Sequence, residues 1–500
     1  MAFVFMATLL VPLLPLLING APFIGDSWVH LGLARDVAAS GRYALNAYNE
    51  RWPLINLLLA FLMLVTRLPE LYVGQAVPFL AGLAGLPLYA LCRRLGLSRA
   101  SSIVPVLFLS FNPLYSYVTF SGAVMKETAT HYLVILMLLL TVSALKDSPS
   151  KPRMASLFLV SLGVVFGHHY AGLVILLFLW ALAGYELIGR LRGESLRLHS
   201  VLSTAFGFTI PFSAWNLLNY LALGAYFPIF NATDGLLLLA IFIVAWTSLI
   251  SDGGPFSSKR PWLAPLAFLI AVMGLRGGLY ILAQPVEPIS IWEARNYLVA
   301  AGFSLSGLLI GLKNQCLKAY ASAAVGMVLF AFLWGYTQLG FVLLIKSLHY
   351  FGPLLAVGAG FTAAALLRRG NMGRILVVAI LLFLVYASTT GTTLALNGLG
   401  AYSRGEVEAM RSFPSISPGI RVYGDTRVSY LFPYASGLTI SGLKPLRDME
   451  HSSLIILLKP NWEQGFLYDY DWVAKETIAP DEQLLKRGRV YDSTYLQAWL

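Results

Sequence analysis

Apolar stretches as long as a membrane is thick recur along most of this 500-residue chain. A helix needs about 20 consecutive apolar residues to cross the hydrocarbon core of a bilayer. Only 12% of the residues are charged, which is about half the share found in soluble domains. The sequence therefore predicts a polytopic α-helical membrane protein. We place roughly thirteen spans in the apolar stretches, at 2–21, 72–92, 100–120, 125–145, 154–167, 171–189, 200–222, 235–250, 262–283, 297–312, 319–339, 351–367 and 375–396. The fifth of these, 154–167, is short, and we interpret it as a tilted or broken span.

The distribution of basic residues predicts the orientation, because cytoplasmic loops are enriched in lysine and arginine. One set of loops carries pairs or triplets of basic residues, whereas the alternating set has only Lys126, Arg295 and Lys346 after the first loop. The first set is predicted to be cytoplasmic. The protein is then a multi-pass protein of the cell (plasma) membrane, with its N-terminus inside and its C-terminus outside. The net charge of +11 is spread over short loops, which argues against a nucleic-acid partner.

Two segments are predicted to lie outside the bilayer. The alternation of loops holds only if residues 53–66, too short for a span, form a juxtamembrane helix in the first outer loop, 22–71. Residues 397–500 are richer in charge and alternate strand and helix patterns at 420–423, 428–434, 438–440 and 454–458. We therefore expect a transmembrane domain at 1–396 and a small extracytoplasmic α/β domain at 397–500.

The two cysteines, Cys92 and Cys316, fall at span ends on the predicted cytoplasmic side. Neither a structural disulfide nor a cysteine-based metal site is expected. The first span lacks a basic leader and a small-residue cleavage pattern, so we interpret it as a retained span.

Asp26 is the first charged residue of the chain and follows the first span directly. Acids near hydrocarbon are costly, so a carboxylate at this depth requires a reason. One reason is catalysis, as a base or a metal ligand for a lipid-borne substrate. The alternative is a helix N-cap, because residues 30–40 have a helical pattern ending at Gly41, and Asp is a favoured cap. Ser27 could cap that helix equally well.

Lys126 and Glu127 begin the fourth predicted span after a very short outer loop. Their structural interpretation is a lysine that snorkels to the interface and an acid in the first helical turn. Their functional interpretation is a phosphate contact and a metal ligand. His131 lies one helical turn after Glu127 and is either a further ligand or a core histidine.

The remaining candidate residues lie in later outer loops. The fifth outer loop brings Glu293 and Arg295 to the same side, and the sixth brings Lys346 and His349. A cation on this side is either an anchor to lipid headgroups or a clamp for a lipid phosphate. The adjacent His168 and His169 occupy the third outer turn and could reach a phosphate or a metal.

Taken together, these residues suggest one site at the outer boundary of the membrane. Asp26, Glu127 and Glu293 could hold a hard divalent ion, Mg²⁺ or Mn²⁺, through oxygen. Lys126, Arg295 and Lys346 would stabilise the charge that grows on a phosphate leaving group. Such a site suits the transfer of a sugar from a polyprenyl phosphate.

At this point the chain resembles the GT-C class of membrane glycosyltransferases, and within it the catalytic subunits of single-subunit archaeal and bacterial oligosaccharyltransferases. The resemblance matches Asp26 to the acidic residue of the first loop. It matches Met125-Lys126-Glu127 to an acidic motif of which only the second acid is kept. Ser290-Ile291-Trp292-Glu293 with Arg295 is similar to the fifth-loop motif, and Lys346 or His349 to the cation before a late span.

The acceptor motif of that family departs most from its usual form. Trp-Trp-Asp-Tyr-Gly has its counterpart at 422–427, where Tyr423 and Asp425 would recognise the acceptor but both tryptophans are missing. The resemblance thus implies an altered acceptor preference if asparagine is the acceptor.

We expect a glycosyltransferase that moves a sugar or oligosaccharide from a polyprenyl- or dolichyl-linked phosphate or pyrophosphate to a protein or glycolipid acceptor. Membrane lipids are the other expected partners. One alternative is a flippase for the same lipid-linked glycan, for which Arg276 would be the deep charge, although we find no internal repeat. Another is an inactive relative that acts as a scaffold.

Overall fold

The computed structural model describes residues 2–45, 48–111, 122–147, 150–193, 197–223, 232–250, 291–334, 338–396, 401–413, 416, 420–436, 453–462, 466–468, 475–477 and 489–500. The predicted span at 262–283, Arg276 and the predicted strand at 438–440 lie outside these residues. The side chains of Glu293 and Arg295 are also not described.

Helices dominate the described part of the chain. In order, they are α1 (Ala2–Leu10), α2 (Leu14–Asn19), α3 (Asp26–Ser40), α4 (Pro53–Thr66), α5 (Glu70–Val73), α6 (Ala76–Leu83), α7 (Gly85–Arg94), α8 (Arg99–Ser110), α9 (Lys126–Lys146), α10 (Lys151–Gly167), α11 (His169–Leu191), α12 (Leu198–Leu223), α13 (Ala232–Ile250), α14 (Ile291–Gly311), α15 (Gln315–Trp334), α16 (Gln338–Leu367), α17 (Asn371–Leu396) and α18 (Arg404–Arg411). Short 3₁₀ turns join α1 to α2 and precede α4 at Tyr48–Arg51.

The chain is a membrane protein. Six of its described segments are helical, long enough and apolar enough to cross a bilayer: Glu70–Arg94, Lys126–Lys146, His169–Leu191, Leu198–Leu221, Lys346–Leu367 and Asn371–Thr389. Shorter apolar helices occupy most of the other predicted spans. Six spans among the described residues neither confirm nor exclude the predicted total.

The helices predicted at 30–40 and 53–66 are present, and their place outside the bilayer stays a prediction. Helix α4 covers Pro53–Thr66 with the expected bounds, and Pro53 suits its first turn, where the missing N–H has no partner to lose. Helix α3 ends at Gly41, which adopts φ +66° and donates its N–H to the carbonyl of Val37. This left-handed residue stops the helix, since glycine adopts positive φ without strain. Helix α3 begins at Asp26, four residues earlier than the sequence pattern indicated.

Close helix contact holds the later membrane helices together. A Cβ atom on Gly307 would lie 2.0 Å from the carbonyl oxygen of Gly358, so α14 and α16 meet through their backbones at this point. Small residues allow such close contact between membrane helices. Packing is needed there because an apolar side chain gains nothing from leaving lipid tails, which are equally apolar, for the surface of another helix. This packing sets the position of α16, which carries Lys346 and His349.

The C-terminal part contains two small sheets and two further helices. Its elements are β1 (Val422–Gly424), α19 (Thr426–Ser436), β2 (Leu454–Leu458), α20 (Lys459–Trp462), β3 (Phe466–Tyr468), β4 (Lys475–Thr477), β5 (Arg489–Asp492) and β6 (Leu496–Trp499). One sheet has the order β1-β2-β6-β5, with β1 and β2 parallel and the other neighbours antiparallel. Strand β2 matches the predicted 454–458, and the 428–434 pattern forms part of helix α19.

Helix α3 joins the membrane helices to this C-terminal part. Trp28 is fully buried, and its ring lies 5.3 Å from that of Tyr402 and 5.0 Å from that of Tyr434, centroid to centroid. Arg35 donates to the carbonyl oxygen of Tyr434 at 3.1 Å. One apolar cluster includes residues of α3, α4, α19 and β2. Helix α3, which begins with Asp26, therefore packs against both α4 and the C-terminal part.

Candidate functional site

The segments that carry Asp26 and Glu127 are joined through their backbones. Phe23 and Ala123 form a parallel β-bridge, and the N–H of Val124 donates to Oγ of Ser27 at 2.9 Å. Ser27 is fully buried, so this hydrogen bond is shielded from water. The start of α3 and the segment before α9 therefore share one local structure, although 97 residues separate Val124 from Ser27.

Asp26 is the first residue of α3 and is partly buried. The capping position belongs to Gly25, and no side chain caps it. The N-cap interpretation of Asp26 is therefore wrong, and so is that of Ser27, which lies inside the helix. The carboxylate still benefits from its place in the first turn, because the N-terminal end of a helix carries partial positive charge.

Glu127 forms a buried ion pair with Lys346. The Nζ atom of Lys346 lies 2.7 Å from Oε1 of Glu127, whose side chain is fully buried. Nε2 of His168 lies 3.3 Å from the same oxygen. The side chain of Lys346 keeps 18% of its surface exposed, whereas that of Glu127 is fully buried.

Lys126 does not snorkel to the interface, because only 2% of its surface is exposed. Its Nζ atom lies 2.6 Å from Oδ1 of Asn49, in the first outer loop. The snorkelling interpretation is wrong for the physical reason that this lysine has a polar partner inside the protein.

Buried histidines lie close to Glu127 in the protein interior. Nδ1 of His168 lies 3.0 Å from the hydroxyl of Tyr350, which in turn lies 2.8 Å from Oγ1 of Thr130. Nδ1 of His131 lies 2.9 Å from Nε2 of His349, and both rings are buried. His131 is therefore a core histidine with a hydrogen-bond partner, and His349 supports the core beside Lys346.

The neighbouring His169 has a different environment from His168. Its ring packs against Trp52, with 4.8 Å between the ring centroids. This contact joins α11 to the first outer loop, next to Asn49. His168 and His169 thus both border the region of Glu127, and His168 contacts its carboxylate.

The described residues around Glu127 fit an anion better than a cation. Two buried or half-buried ammonium groups, those of Lys126 and Lys346, accompany one carboxylate, and Lys346 already occupies one of its oxygens. A divalent ion at that oxygen would lie against a positive charge. Among the described side chains, no three histidine, cysteine, aspartate or glutamate residues converge on a metal-sized space.

His30 is a site residue that the sequence analysis missed. It is fully buried, and Nδ1 lies 2.8 Å from Oδ1 of Asn56. Burial, together with the charge of Lys126, lowers the pKa of His30 from 6.5 to about 4. The ring is therefore neutral at physiological pH. Its position one helical turn after Asp26 was the signal that could have identified it.

Tyr423 and Asp425, the two residues matched to the acceptor motif, are both buried in the C-terminal part. Oδ1 of Asp425 accepts the N–H of Val428 at 2.9 Å and so caps α19. Tyr423 lies in β1 with 2% of its surface exposed. Beside them, Arg427 pairs with Glu406 at 3.0 Å and lies 4.8 Å from the ring of Tyr402. A role of Tyr423 and Asp425 in acceptor recognition stays a prediction.

Glu293 and Arg295 lie in the first turns of α14, the helix that packs most extensively against α16. Their backbone is placed and their side chains are not described. Whether either reaches Asp26 or Lys346 therefore stays a prediction.

No protein-family model matches the chain, and no curated protein matches it. Solved structures do match it in fold. The apo oligosaccharyltransferase of Archaeoglobus fulgidus matches with a TM-score of 0.53 at 14% identity, over 88% of this chain and 64% of that one. The chain has the GT-C fold.

Two further oligosaccharyltransferase structures from Archaeoglobus fulgidus are similar to this chain in fold. AglB in complex with an inhibitory peptide and a dolichol-phosphate has a TM-score of 0.54 at 11% identity, over 91% of this chain and 69% of that chain. The complex with zinc and sulfate has a TM-score of 0.54 at 13% identity, over 87% and 62%. The resemblance inferred from sequence is confirmed at the level of fold. The chain spans less than two-thirds of the apo enzyme's length.

Proposed function

We propose that this chain is a glycosyltransferase that uses a polyprenyl- or dolichyl-linked phosphate or pyrophosphate sugar as donor. The transfer takes place at the outer face of the cell membrane, onto a protein or glycolipid acceptor. The observation that carries the proposal is the cation-rich environment of Glu127, where the partly exposed Lys346 and the buried Lys126 lie at one end of membrane helices. Such a site suits a phosphate whose lipid tail remains in the bilayer.

The GT-C fold and the dolichol-phosphate bound by AglB support this donor class. For the topology we propose about thirteen spans with a cytoplasmic N-terminus. In this proposal, residues 1–396 form the transmembrane domain with the outer loop 22–71, and residues 397–500 form an extracytoplasmic domain. Helix α3 then presents Asp26 between the two.

In the proposed reaction, the bond between the anomeric carbon and the phosphate oxygen breaks as the bond to the acceptor atom forms. The phosphate leaves with the electron pair, and Lys346, with Lys126 behind it, stabilises its charge. Asp26 takes the proton that the acceptor atom loses. Glu127 holds Lys346 in place, because the two side chains pair at 2.7 Å.

A divalent metal does not fit the described residues around Glu127, since Lys346 neutralises that carboxylate. The proposed reaction therefore has no step through a metal. The predicted Mg²⁺ or Mn²⁺ would have to rely on Asp26 and Glu293, and on Glu127 only after the ion pair had opened.

Transfer by the purified protein in detergent tests the proposal. The donor is the tritiated lipid-linked sugar that accumulates in a strain lacking this gene, and the acceptor is the protein and glycolipid fraction of the same strain. We expect labelled product with the wild type and none with Asp26→Asn. Asp36→Asn is the matched control, because its side chain lies on the same helix and is 72% exposed.

The result that would overturn the proposal is an absence of product from folded wild-type protein. A flippase gives this result, because it has no membrane to act across in detergent. Equal product from Asp26→Asn and wild type would keep the transferase and remove Asp26 from its mechanism.

A further inference from the structure

The orientation of the Asn56 side chain is determined by its neighbours. Its Nδ2 atom donates to the backbone oxygen of Asn49 at 3.1 Å and to the hydroxyl of Tyr43 at 3.0 Å. A backbone carbonyl can only accept a hydrogen bond, so the amide nitrogen must face Asn49. The amide oxygen Oδ1 therefore faces His30, from whose Nδ1 it lies 2.8 Å away.

This orientation determines which nitrogen of His30 carries the proton. An amide oxygen only accepts, so Nδ1 of His30 must be the N–H donor. In a neutral imidazole the other nitrogen, Nε2, then has an unshared lone pair. Nε2 is buried and has no hydrogen-bond partner among the described residues. A buried acceptor without a donor is unusual in a folded protein and requires an explanation.

The charged groups around His30 place it in the candidate site. Lys126, Asp26 and Glu127 are the groups whose charges act on its ring. Asp26 and His30 lie four residues apart in α3, so their side chains project from the same face of the helix. Asp26 is only partly buried, whereas His30 is fully buried. A substrate would therefore approach the two residues from the side of Asp26.

We propose that Nε2 of His30 accepts a hydrogen bond from an N–H or O–H of the acceptor substrate and so holds the attacking atom beside Asp26. The inference rests on the proposed function. Asp26 takes the reacting proton, and His30 binds a second donor hydrogen of the same substrate. An acceptor for this site therefore carries two donor hydrogens near its attacking atom, such as an amide NH₂ or two neighbouring sugar hydroxyls.

A cation is a less suitable ligand for Nε2. Lys126 exerts the largest charge effect on the ring, and its sign is positive. A hydrogen-bond donor brings only a partial positive charge and meets less repulsion. The lone pair therefore favours a neutral donor over a metal.

Two variants of His30 separate the acceptor role from donor binding. His30→Phe keeps a ring and removes the lone pair, whereas His30→Gln keeps an oxygen that can accept. With saturating tritiated lipid-linked sugar, we expect His30→Phe to lower kcat/KM for the acceptor about 10-fold, the size of one lost hydrogen bond to the substrate. We expect His30→Gln to recover part of that loss, and His199→Phe, at an exposed position, to have no effect.

Binding of dolichyl phosphate provides the second readout. We expect its Kd to be the same in His30→Phe and wild type, because His30 contacts the acceptor and not the phosphate. The protein and the glycolipid fractions are supplied as acceptors in separate assays, and the fraction that shows the His30 effect identifies the source of the donor hydrogens.

Three results would overturn the inference. The first is transfer by His30→Phe at the wild-type rate. The second is weaker binding of dolichyl phosphate, seen as a higher Kd in His30→Phe. The third is a ¹⁵N spectrum of histidine-labelled wild type in which Nε2 of His30 is protonated. The spectrum needs no variant to fold and no activity. If wild-type protein transfers no sugar, the proposed function fails. If wild type is active and His30→Phe matches it, only the inference fails.

Discussion

The ammonium group of Lys346 lies 2.7 Å from a carboxylate oxygen of Glu127, in a side chain that is fully buried. The two residues belong to helices α16 and α9, which are far apart in sequence. Removing one member of a buried pair leaves an uncompensated charge, whereas removing both does not. The pair therefore lends itself to a double-mutant cycle.

We expect Glu127→Gln and Lys346→Met each to destabilise the protein by about 3–5 kcal/mol, and the double variant to recover much of that loss. Thermal unfolding in detergent measures this. Transfer should be lost in both variants that lack Lys346, because the phosphate loses its nearest cation. Lys313→Met, at an exposed position of the chain, is the control. Additive destabilisation in the double variant would show that the pair does not form.

Chelation tests the role of a metal. We expect EDTA to leave the transfer rate nearly unchanged, because Lys346 and Lys126 provide the positive charge near Glu127. The initial rate before and after dialysis against EDTA, and after addition of Mn²⁺ or Mg²⁺, measures this. Loss of activity that either ion restores would contradict the expectation and assign a metal to Asp26 and Glu293.

Acid should destabilise the protein through His30. The pKa of His30 falls from 6.5 to about 4 on folding, so the unfolded chain binds the proton more tightly. Stability is complete above pH 6.5 and is lost as the pH falls towards 4. At about 1.4 kcal/mol per pKa unit, the loss between pH 6.5 and 5 approaches about 2 kcal/mol.

The midpoint of thermal unfolding between pH 7 and 5 measures this loss. His30→Gln should show a weaker dependence on pH, since glutamine does not titrate. The same slope in wild type and variant would mean that His30 is already protonated or exposed in the folded protein.

Trp28 holds the C-terminal part against helix α3. Its ring is fully buried between Tyr402 and Tyr434, so Trp28→Ala should cost about 3–5 kcal/mol. The expected result is faster proteolytic release of a fragment that begins near residue 400, followed by immunoblot of a C-terminal tag. Trp180→Ala serves as the control, because Trp180 is 37% exposed on a membrane helix. Release at equal rates would show that Trp28 does not limit separation.

Local signals in the sequence predicted individual elements well. Pro53 and an apolar run of the right length predicted helix α4, and Gly41 predicted the end of α3. The apolar run at 454–458 predicted strand β2. Each of these features depends on neighbouring residues, which the sequence displays directly. The start of α3 was harder to predict, because Gly25 caps it without a side chain.

The contacts of the candidate site could not be predicted in the same way. Asn56 lies 26 residues from His30, and His349 lies 218 residues from His131. Nothing local indicates that Lys126 points inward to Asn49, since the same lysine at a membrane boundary would suit an outward anchor. The sequence could predict which residue types lie at one depth, but their pairing depends on how the helices pack.

The bridge between Phe23 and Ala123 has a consequence for engineering. Val124 also donates a hydrogen bond to Ser27. Replacing only one of the two segments would therefore disrupt both contacts. A chimera that borrows the first outer loop from a relative should therefore borrow residues 122–127 with it. Two segments that lie 97 residues apart in sequence would then have to be exchanged as a single unit.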